Sequence, residues 1–349
     1  MLKAHTSRYK LKFITPGGTS RGILKEKETY FLTIEDDHQF GIGECAVFRG
    51  LSFDDRPGYL DTLKNVADKI ESGFPPEQII WELTDWPSIQ FGLETAIKGL
   101  QSSNPFNIFN GDFCQRTRGI EINGLIWMDD WHHMNKQLRK KLEDGFTCIK
   151  IKIGAIDFNQ ELNLLKRIRQ EYSGNDVEIR VDANGAFMAS NVVEKLEALA
   201  EYDLHSIEQP IKKGQWKVMC DLSKAPIVPI ALDEELIGIT SIAEKEELLN
   251  TIKPQYIVLK PALIGGFGGT DEWVSMAEKH NIKWWVTSAL ESNIGLNAIA
   301  QYVDTKGCKM PQGLGTGQLF SNNIPSPLEL RSNHLWYGSN SWDLSNLKL

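Results

Sequence analysis

Residues 147–154 read TCIKIKIG, and the interpretation of the whole chain starts from this stretch. Apolar residues and lysines alternate strictly, which is the period of a β-strand. Because side chains two positions apart share one face of a strand, Cys148, Lys150 and Lys152 point one way and the isoleucines the other. The isoleucine face predicts a buried strand, so the lysine face must lie against something polar. Taken alone, the stretch fits equally well an edge strand whose lysines face water and prevent aggregation.

Length and composition limit the classes of protein that fit. The chain has 349 residues, which predicts one large barrel plus a smaller unit. Its hydrophobic content of 41% and charged content of 24% are ordinary for a globular protein. A net charge of −8 and the lack of a basic block argue against nucleic acid as a partner. A local lysine cluster can still bind a small anion.

The N-terminus and the cysteines predict a compartment. No apolar run follows the first charged residues, and no stretch is long enough to span a bilayer. The five cysteines are scattered, and none forms a Cys-x-x-Cys pair. We therefore expect a cytoplasmic protein without a membrane partner, a disulfide framework or a zinc site. The sequence leaves the oligomeric state open.

The first third of the chain predicts an α+β domain over residues 1–119. Strands are expected at residues 11–14, 22–27, 30–35 and 41–45, with the second and third forming a hairpin. Residues 16–20 are rich in glycine and predict a flexible loop. Helices are expected near residues 59–72, 76–83 and 87–101. The loops at 15–21 and 49–58 either close over a site as a lid or merely connect elements.

From residue 120 the pattern becomes a series of seven to eight strand–helix units. The first strand is expected over residues 120–126, and a last short element near 312–315. Such a series predicts a (β/α) barrel over residues 120–324 better than a doubly wound sheet. No phosphate-binding glycine motif follows a strand. The apolar tail, residues 325–349, is expected to pack back on the first domain and complete it.

Charged residues end five successive barrel strands, where the chemistry of such barrels takes place. They recur at intervals of 25 to 30 residues, roughly one strand–helix unit, and they are Lys152, Asp182, Glu208, Asp233 and Lys260. Three carboxylates that converge need a neutralising cation, because like charges raise each other's pKa. Ligands with oxygen alone favour Mg²⁺ over zinc, and Mn²⁺ is a possible substitute. The alternative is three unrelated surface acids.

The two flanking lysines predict proton transfer. A lysine beside a divalent cation and a second lysine, here Lys150, has its ammonium form disfavoured, so the pKa of Lys152 falls toward neutrality. The metal would bind the carboxylate of a small anionic substrate and stabilise the enediolate formed when the α-proton leaves. Lys152 and Lys260 would face opposite sides of that substrate. Schiff-base aldolysis by one lysine is a rival chemistry that needs no metal triad.

At these positions the sequence resembles the enolase superfamily, in its muconate-lactonizing subgroup. The resemblance covers essentially the whole chain and implies a capping domain and a modified (β/α)7β TIM-like barrel. Residues 259–266, 287–295 and 313–317 are most similar to the o-succinylbenzoate synthase family. This resemblance implies a lyase of menaquinone biosynthesis, in which Lys152 removes the α-proton and then assists loss of the hydroxyl. It also implies that Lys260 stabilises the enediolate, and that Asp182, Glu208 and Asp233 bind the metal.

The remaining candidates are expected to bind substrate or to support the metal ligands. Lys150, Ser288 and Gly315 are predicted to bind substrate, and Ser288 is assigned the succinyl end. Asn184 and Arg180 are expected to support the metal ligands, Arg180 by pairing with Glu208. In the alternative reading, Ser292 and Glu291 form an ordinary helix N-terminus.

Two other functions stay open from the sequence. The first is racemisation of N-succinylamino acids, or another lysine-pair racemisation or cycloisomerisation in the same superfamily. It would use the same two lysines. The second is a catalytically inactive barrel that serves as a binding module, against which the five polar strand ends argue.

Overall fold

The computed structural model describes residues 1–19, 22–127 and 129–347. Its first sheet has three antiparallel strands in the order β1 (Lys3–Thr19), β2 (Gly22–Glu35) and β3 (Phe40–Cys45). The long β1 runs beside β2 for its whole length, with a shift of register between Lys12 and Gly17. This sheet forms the cap over one end of the barrel.

The predicted hairpin between residues 22–27 and 30–35 is wrong, because both belong to the single strand β2. The charged residues that suggested a turn pair across the sheet with charged residues of β1 instead. Lys10 lies opposite Glu28 and Lys12 opposite Glu26, and the Nζ of Lys10 is 2.8 Å from Oε1 of Glu26. The loop predicted at 16–20 is strand as far as Thr19, and its last residue lies outside the described part of the chain.

Three helical segments cover the cap sheet. They are α1 (Tyr59–Glu71), α2 (Pro76–Ile79), which continues as a 3₁₀ turn over Ile80–Leu83, and α3 (Pro87–Leu100). The helix α3 lies directly on β3, which is possible because two glycines face it. A Cβ at Gly41 would lie 1.9 Å from the carbonyl oxygen of Ala96, and one at Gly43 would lie 1.8 Å from that of Gly92. The glycines therefore set the close contact between helix and strand.

A parallel barrel follows, and it confirms the predicted fold class. Two short strands, β4 (Ile120–Glu121) and β5 (Gly124–Ile126), open this part of the chain. The barrel strands from β5 onward are joined in chain order, each parallel to the next. They continue as β6 (Cys148–Lys152), β7 (Glu178–Asp182), β8 (Ser206–Glu208), β9 (Ile230–Leu232), β10 (Tyr256–Leu259) and β11 (Lys283–Val286).

A helix follows each of these seven strands. The helices are α4 (Trp131–Glu143), α5 (Phe158–Glu171), α6 (Val192–Ala200), α7 (Trp216–Lys224), α8 (Ile242–Ile252), α9 (Gly266–Lys279) and α10 (Asn293–Lys306). Residues 312 and 313 then take the place of the eighth barrel strand. Gly313 forms a parallel bridge with Thr287, and Gln312 forms one with Ile122. Closure between β11 and the start of the barrel gives the (β/α)7β arrangement.

The single strand predicted over residues 120–126 is in fact two strands in different sheets. The backbone of β4 pairs with β13 (His334–Tyr337), which in turn pairs with β12 (Leu328–Arg331). Beyond these strands, Leu347 packs with Phe31 and Ile42 of the cap. The division of the chain at residues 119 and 324 remains a prediction. In the described residues no helix is long and apolar enough to cross a membrane.

Candidate active site

Strand register brings the five predicted charged residues to one level of the barrel. Lys152 lies opposite Asp182, which lies opposite Glu208 on the next strand. Asp233 directly follows β9, and Lys260 directly follows β10. Because the carboxyl ends of parallel strands meet at one end of a barrel, side chains that are distant in sequence converge there.

The three carboxylates form a buried cluster that suits a divalent cation. One oxygen from each of Asp182, Glu208 and Asp233 lies within 4.8 Å of the others, and all three side chains are at most 2% exposed. Burial, together with the charges of Asp182 and Asp233, raises the pKa of Glu208 well above its usual range. A cation would relieve this repulsion, and a set of oxygen ligands matches Mg²⁺ or Mn²⁺.

Two of the three lysines at this level are held in their charged form. The Nζ of Lys150 lies 2.7 Å from Oδ2 of Asp182 and 2.6 Å from Oε2 of Glu208. Burial disfavours the charge of Lys150, but the two carboxylates outweigh it and raise the pKa of this lysine. Lys260 forms an ion pair with Asp233, which likewise outweighs burial and raises the pKa of Lys260.

Lys152 differs from its neighbours. Its Nζ lies 2.6 Å from Oδ2 of Asp182 and lines the central cavity. Burial lowers the pKa of Lys152, and the charge of Lys150 adds to this effect against the opposing effect of Asp182. This direction agrees with the one predicted from the sequence, and it makes Lys152 the amine of the three best able to accept a proton.

Asn184 contacts both Lys152 and a metal-ligand candidate. Its Oδ1 accepts a hydrogen bond from the Nζ of Lys152 at 2.7 Å, and its Nδ2 donates to Oε1 of Glu234 at 2.9 Å. Its backbone amide donates to Oδ1 of Asp182 at 3.0 Å. Asn184 has a φ of +45°, a conformation that asparagine tolerates better than most residues. This turn fixes the orientation of Lys152 and Asp182 together.

The predicted pairing of Arg180 with Glu208 is wrong. The Nε of Arg180 lies 2.7 Å from Oε1 of Glu178, and its Nη1 donates to the carbonyl of Pro311 at 2.9 Å. Its guanidinium carbon lies 4.3 Å from the ring centroid of Trp285. Arg180 shares a strand face with Asp182 but lies one step deeper in the barrel, so it fills the barrel interior below the carboxylates.

A cavity lies between the lysines at the strand ends and residues of the cap. It encloses about 710 Å³, including the space at its mouth. The predicted residues Lys150, Ser288 and Gly315 line it together with Lys152, Lys260 and Asn184. The apolar part of the wall comes from both parts of the chain and comprises Leu24, Phe48, Leu51, Leu125, Trp127 and Leu290. Leu51 belongs to the loop 49–58, so at least this cap loop reaches the site.

The polar residues of the site that the sequence analysis did not predict include Thr316 and Gln209. Thr316 lines the cavity, and its Oγ1 lies 2.5 Å from the Oγ of Ser288. Gln209 ties the ends of two strands together, because its Oε1 accepts from the amides of Asp233 and Glu235 at 3.2 Å. The available signals were the position of Thr316 within residues 313–317 and that of Gln209 directly after Glu208, but spacing alone gives no role to either residue.

The expected helix N-terminus at Ser292 is confirmed. The Oγ of Ser292 accepts from the amide of Ile294 at 3.2 Å, which caps α10. Glu291 is fully buried, and its Oε2 accepts from the amide of Ala289 at 2.6 Å. Burial raises the pKa of Glu291 to about 7. Glu291 thus holds the backbone beside the cavity.

Comparison with known proteins agrees with this geometry. Residues 133–326 match the family model described as enolase C-terminal domain-like. The chain is 40% identical to the o-succinylbenzoate synthase of Desulfotalea psychrophila, over 92% of this chain and 95% of that protein. The crystal structure of MenC from the same organism superposes with a TM-score of 0.85 at 37% identity, over 96% of this chain and 99% of that one.

A dipeptide epimerase from Enterococcus faecalis, crystallised with Mg and L-Leu-L-Tyr, shares the fold. Its TM-score is 0.83 at 19% identity, over 98% of both chains. Such a low identity supports the fold alone, whereas the 40% identity to the Desulfotalea protein extends over 92% of this chain. The chain therefore belongs to the o-succinylbenzoate synthase family of the enolase superfamily.

Proposed function

We propose that the protein catalyses the Mg²⁺-dependent syn dehydration of 2-succinyl-6-hydroxy-2,4-cyclohexadiene-1-carboxylate to o-succinylbenzoate in menaquinone biosynthesis. The observation that carries the proposal is that Lys152 and Lys260 line one cavity and flank a cluster of three buried carboxylates. The reaction removes the proton α to the ring carboxylate and the ring hydroxyl, which leave together as water. The product ring becomes aromatic.

The residues divide the proton transfers between them. Lys152 in its neutral form takes the α-proton, and the resulting ammonium donates that proton to the departing hydroxyl. Lys260 stays charged beside Asp233 and stabilises the negative charge that develops on the substrate carboxylate. Mg²⁺ held by Asp182, Glu208 and Asp233 would bind that carboxylate and share in neutralising it. The apolar wall, to which both the cap and the barrel contribute, keeps water away from the reacting carbon.

The charges of the site suit a substrate with two carboxylates. Three lysines face three carboxylates at this level of the barrel, so their charges balance when all are ionised. A divalent cation and a dianionic substrate add equal and opposite charge. Lys150, which the sequence assigned to substrate binding, is engaged by Asp182 and Glu208, so we propose that it chiefly holds these carboxylates and lowers the pKa of Lys152.

The same pair of lysines supports a second candidate, racemisation of N-succinylamino acids. Lys152 and Lys260 both line the cavity, and a racemase needs a proton donor or acceptor on each face of its substrate. Incubation of the protein with each substrate in D2O separates the two. We expect fast formation of o-succinylbenzoate; exchange of the α-proton of N-succinylamino acids without any dehydration would replace the first proposal by the second.

A hydroxyl pair is proposed to bind the succinyl end of the substrate. When one of the two hydroxyls of Ser288 and Thr316 donates to the other, one O–H remains for a carboxylate or carbonyl oxygen. We expect Ser288→Ala to raise KM about tenfold, the value of one lost hydrogen bond of roughly 1.4 kcal/mol. The turnover number should change less than about threefold, because this contact is made in the ground state as well.

Steady-state kinetics with the ring substrate checks this expectation. The matched control is Ser223→Ala, which removes an equally buried hydroxyl on α7, away from the cavity. The control should leave KM unchanged. A Ser288→Ala variant with unchanged KM would remove Ser288 from the proposed substrate contacts.

The proposed partner is therefore one small anionic carboxylate, with Mg²⁺ as the cofactor and Mn²⁺ as a possible substitute. A cytoplasmic location is proposed with it, since all five cysteines are free and a reducing compartment keeps them so.

A further inference from the structure

The wall of the cavity at residues 288–290 has an unfavourable backbone conformation. Leu290 has a φ of +64°, in the left-handed region that residues with a Cβ rarely adopt. The residue is buried and lines the cavity beside Ser288 and Ala289. Such conformations persist only where surrounding contacts hold them, and they are concentrated at ligand-binding sites.

Two buried polar side chains hold the segment, one from each part of the chain. Lys27, on the cap strand β2, donates from its Nζ to the carbonyl oxygen of Leu290 at 3.0 Å. Glu291, on the barrel side, accepts from the amide of Ala289 at 2.6 Å. Lys27 is 7% exposed and Glu291 is fully buried. The contact between Lys27 and Leu290 joins residues that are 263 positions apart in the sequence.

Lys27 is itself fixed in place by the packing of the cap on the barrel. Its backbone is paired with that of Leu11 in the cap sheet. Burial lowers the pKa of Lys27, and the buried carboxylates of Glu291 and Glu44 oppose this effect. Glu44 accepts from the amides of Ser292 and of Gly295 at 3.0 Å, so it binds the N-terminus of α10. A docked cap thus places the ammonium group against the loop that carries Ser288.

We propose that Lys27 is a positioning residue, which fixes residues 288–290 through the Leu290 carbonyl in the shape that presents the Ser288 hydroxyl to the substrate. The cap strand then sets substrate affinity without touching the reacting atoms. This inference rests on the proposed function, since it assigns Ser288 a substrate contact. It concerns affinity alone and leaves the proton transfers of Lys152 unaffected.

The first test is Lys27→Met, which keeps the length of the side chain and removes the donor. We expect KM for the ring substrate to rise about tenfold, with the turnover number changed less than about threefold. The matched control is Lys245→Met, because Lys245 is also buried, at 1% exposure, but pairs with Glu272 away from the reacting groups. The control should lose stability without a change in KM. Equal KM values for the two variants would overturn the proposal.

A second comparison depends on the backbone conformation itself. Without Lys27, a leucine at position 290 is expected to leave the left-handed region, whereas glycine adopts it freely. The rise in KM caused by Lys27→Met should therefore be smaller in a Leu290→Gly background than in a Leu290→Ala background. Both backgrounds lack the leucine side chain, so the comparison isolates the backbone. Equal rises in the two backgrounds would contradict the proposed role.

A replacement variant is available if Lys27→Met fails to fold. If Lys27→Met does not fold, Lys27→Gln takes its place, because glutamine keeps an N–H donor and loses the charge. A KM within about threefold of the unmodified protein then supports the hydrogen bond, and a tenfold rise overturns it.

If the unmodified protein does not dehydrate the ring substrate, the proposed function has failed. If it does and Lys27→Met binds normally, this inference alone has failed.

Discussion

Replacing Lys152 by alanine should lower the dehydration rate by on the order of 10⁴-fold while the protein stays folded. The expectation rests on the different states of the three lysines at the strand ends. Burial and the charge of Lys150 lower the pKa of Lys152. Carboxylates raise the pKa of Lys150 and of Lys260, which favours the charged form of both and leaves Lys152 as the base of the dehydration. When neighbouring groups have pKa values shifted in opposite directions, the group with the lowered value is suited to act as the base, and here that group is Lys152.

The measurement is the rate of o-succinylbenzoate formation together with exchange of the substrate α-proton in D2O. Lys152→Ala should lose both, because the same amine acts in the first step of each. Lys245→Ala removes a buried lysine outside the site and should keep the full rate, which separates loss of the base from a general loss of stability. More than about one hundredth of the original rate in Lys152→Ala would assign the proton transfer to another group.

The charged centre was predictable because it follows from two local rules. Alternation places Lys150 and Lys152 on one face of a strand, and the strand–helix repeat places polar residues at strand ends. Neither rule needs a long-range contact. The structure accordingly brings Lys152, Asp182 and Glu208 into register across neighbouring strands.

Arg180 shows where the same rules stop. Alternation gives the face on which its side chain lies, and that face is correct. It does not give the depth at which the guanidinium finds its partners, and these are Glu178, Pro311 and Trp285 rather than Glu208. A long side chain reaches several levels of a barrel, so its partner depends on packing that strand periodicity does not describe.

On the cap side of the cavity, the sequence predicted only that the loops 15–21 and 49–58 either close over a site or connect elements. The charged residues of β2 resemble a turn in the sequence, because the residues that they face on β1 lie up to 18 positions away. Lys27 contacts the backbone of Leu290, and Leu24 and Leu51 reach the cavity only through the docking of the cap on the barrel. Contacts between distant segments leave no periodic pattern in either segment, so sequence reading missed Lys27 altogether.

Removing the metal should abolish dehydration, and Glu208→Gln should weaken Mg²⁺ binding by on the order of 100-fold or more. The substitution keeps the shape of the side chain and removes one of three negative charges within 4.8 Å of one another. It also leaves Lys150 with one carboxylate fewer. The remaining cluster then carries two negative charges beside three lysines, which disfavours a divalent cation.

Titration calorimetry with Mg²⁺ on chelator-treated protein measures the affinity, and activity is followed as the metal is returned. We expect Mg²⁺ and Mn²⁺ to restore dehydration to the unmodified protein, because both accept oxygen ligands alone. Glu178→Gln is the matched control, since Glu178 begins the same strand that Asp182 ends but pairs with Arg180 below the cluster. It should bind Mg²⁺ within about threefold of the unmodified protein. Equal Mg²⁺ affinity in Glu208→Gln would mean that the three carboxylates do not share an ion, and the proposed reaction would lose its cofactor site.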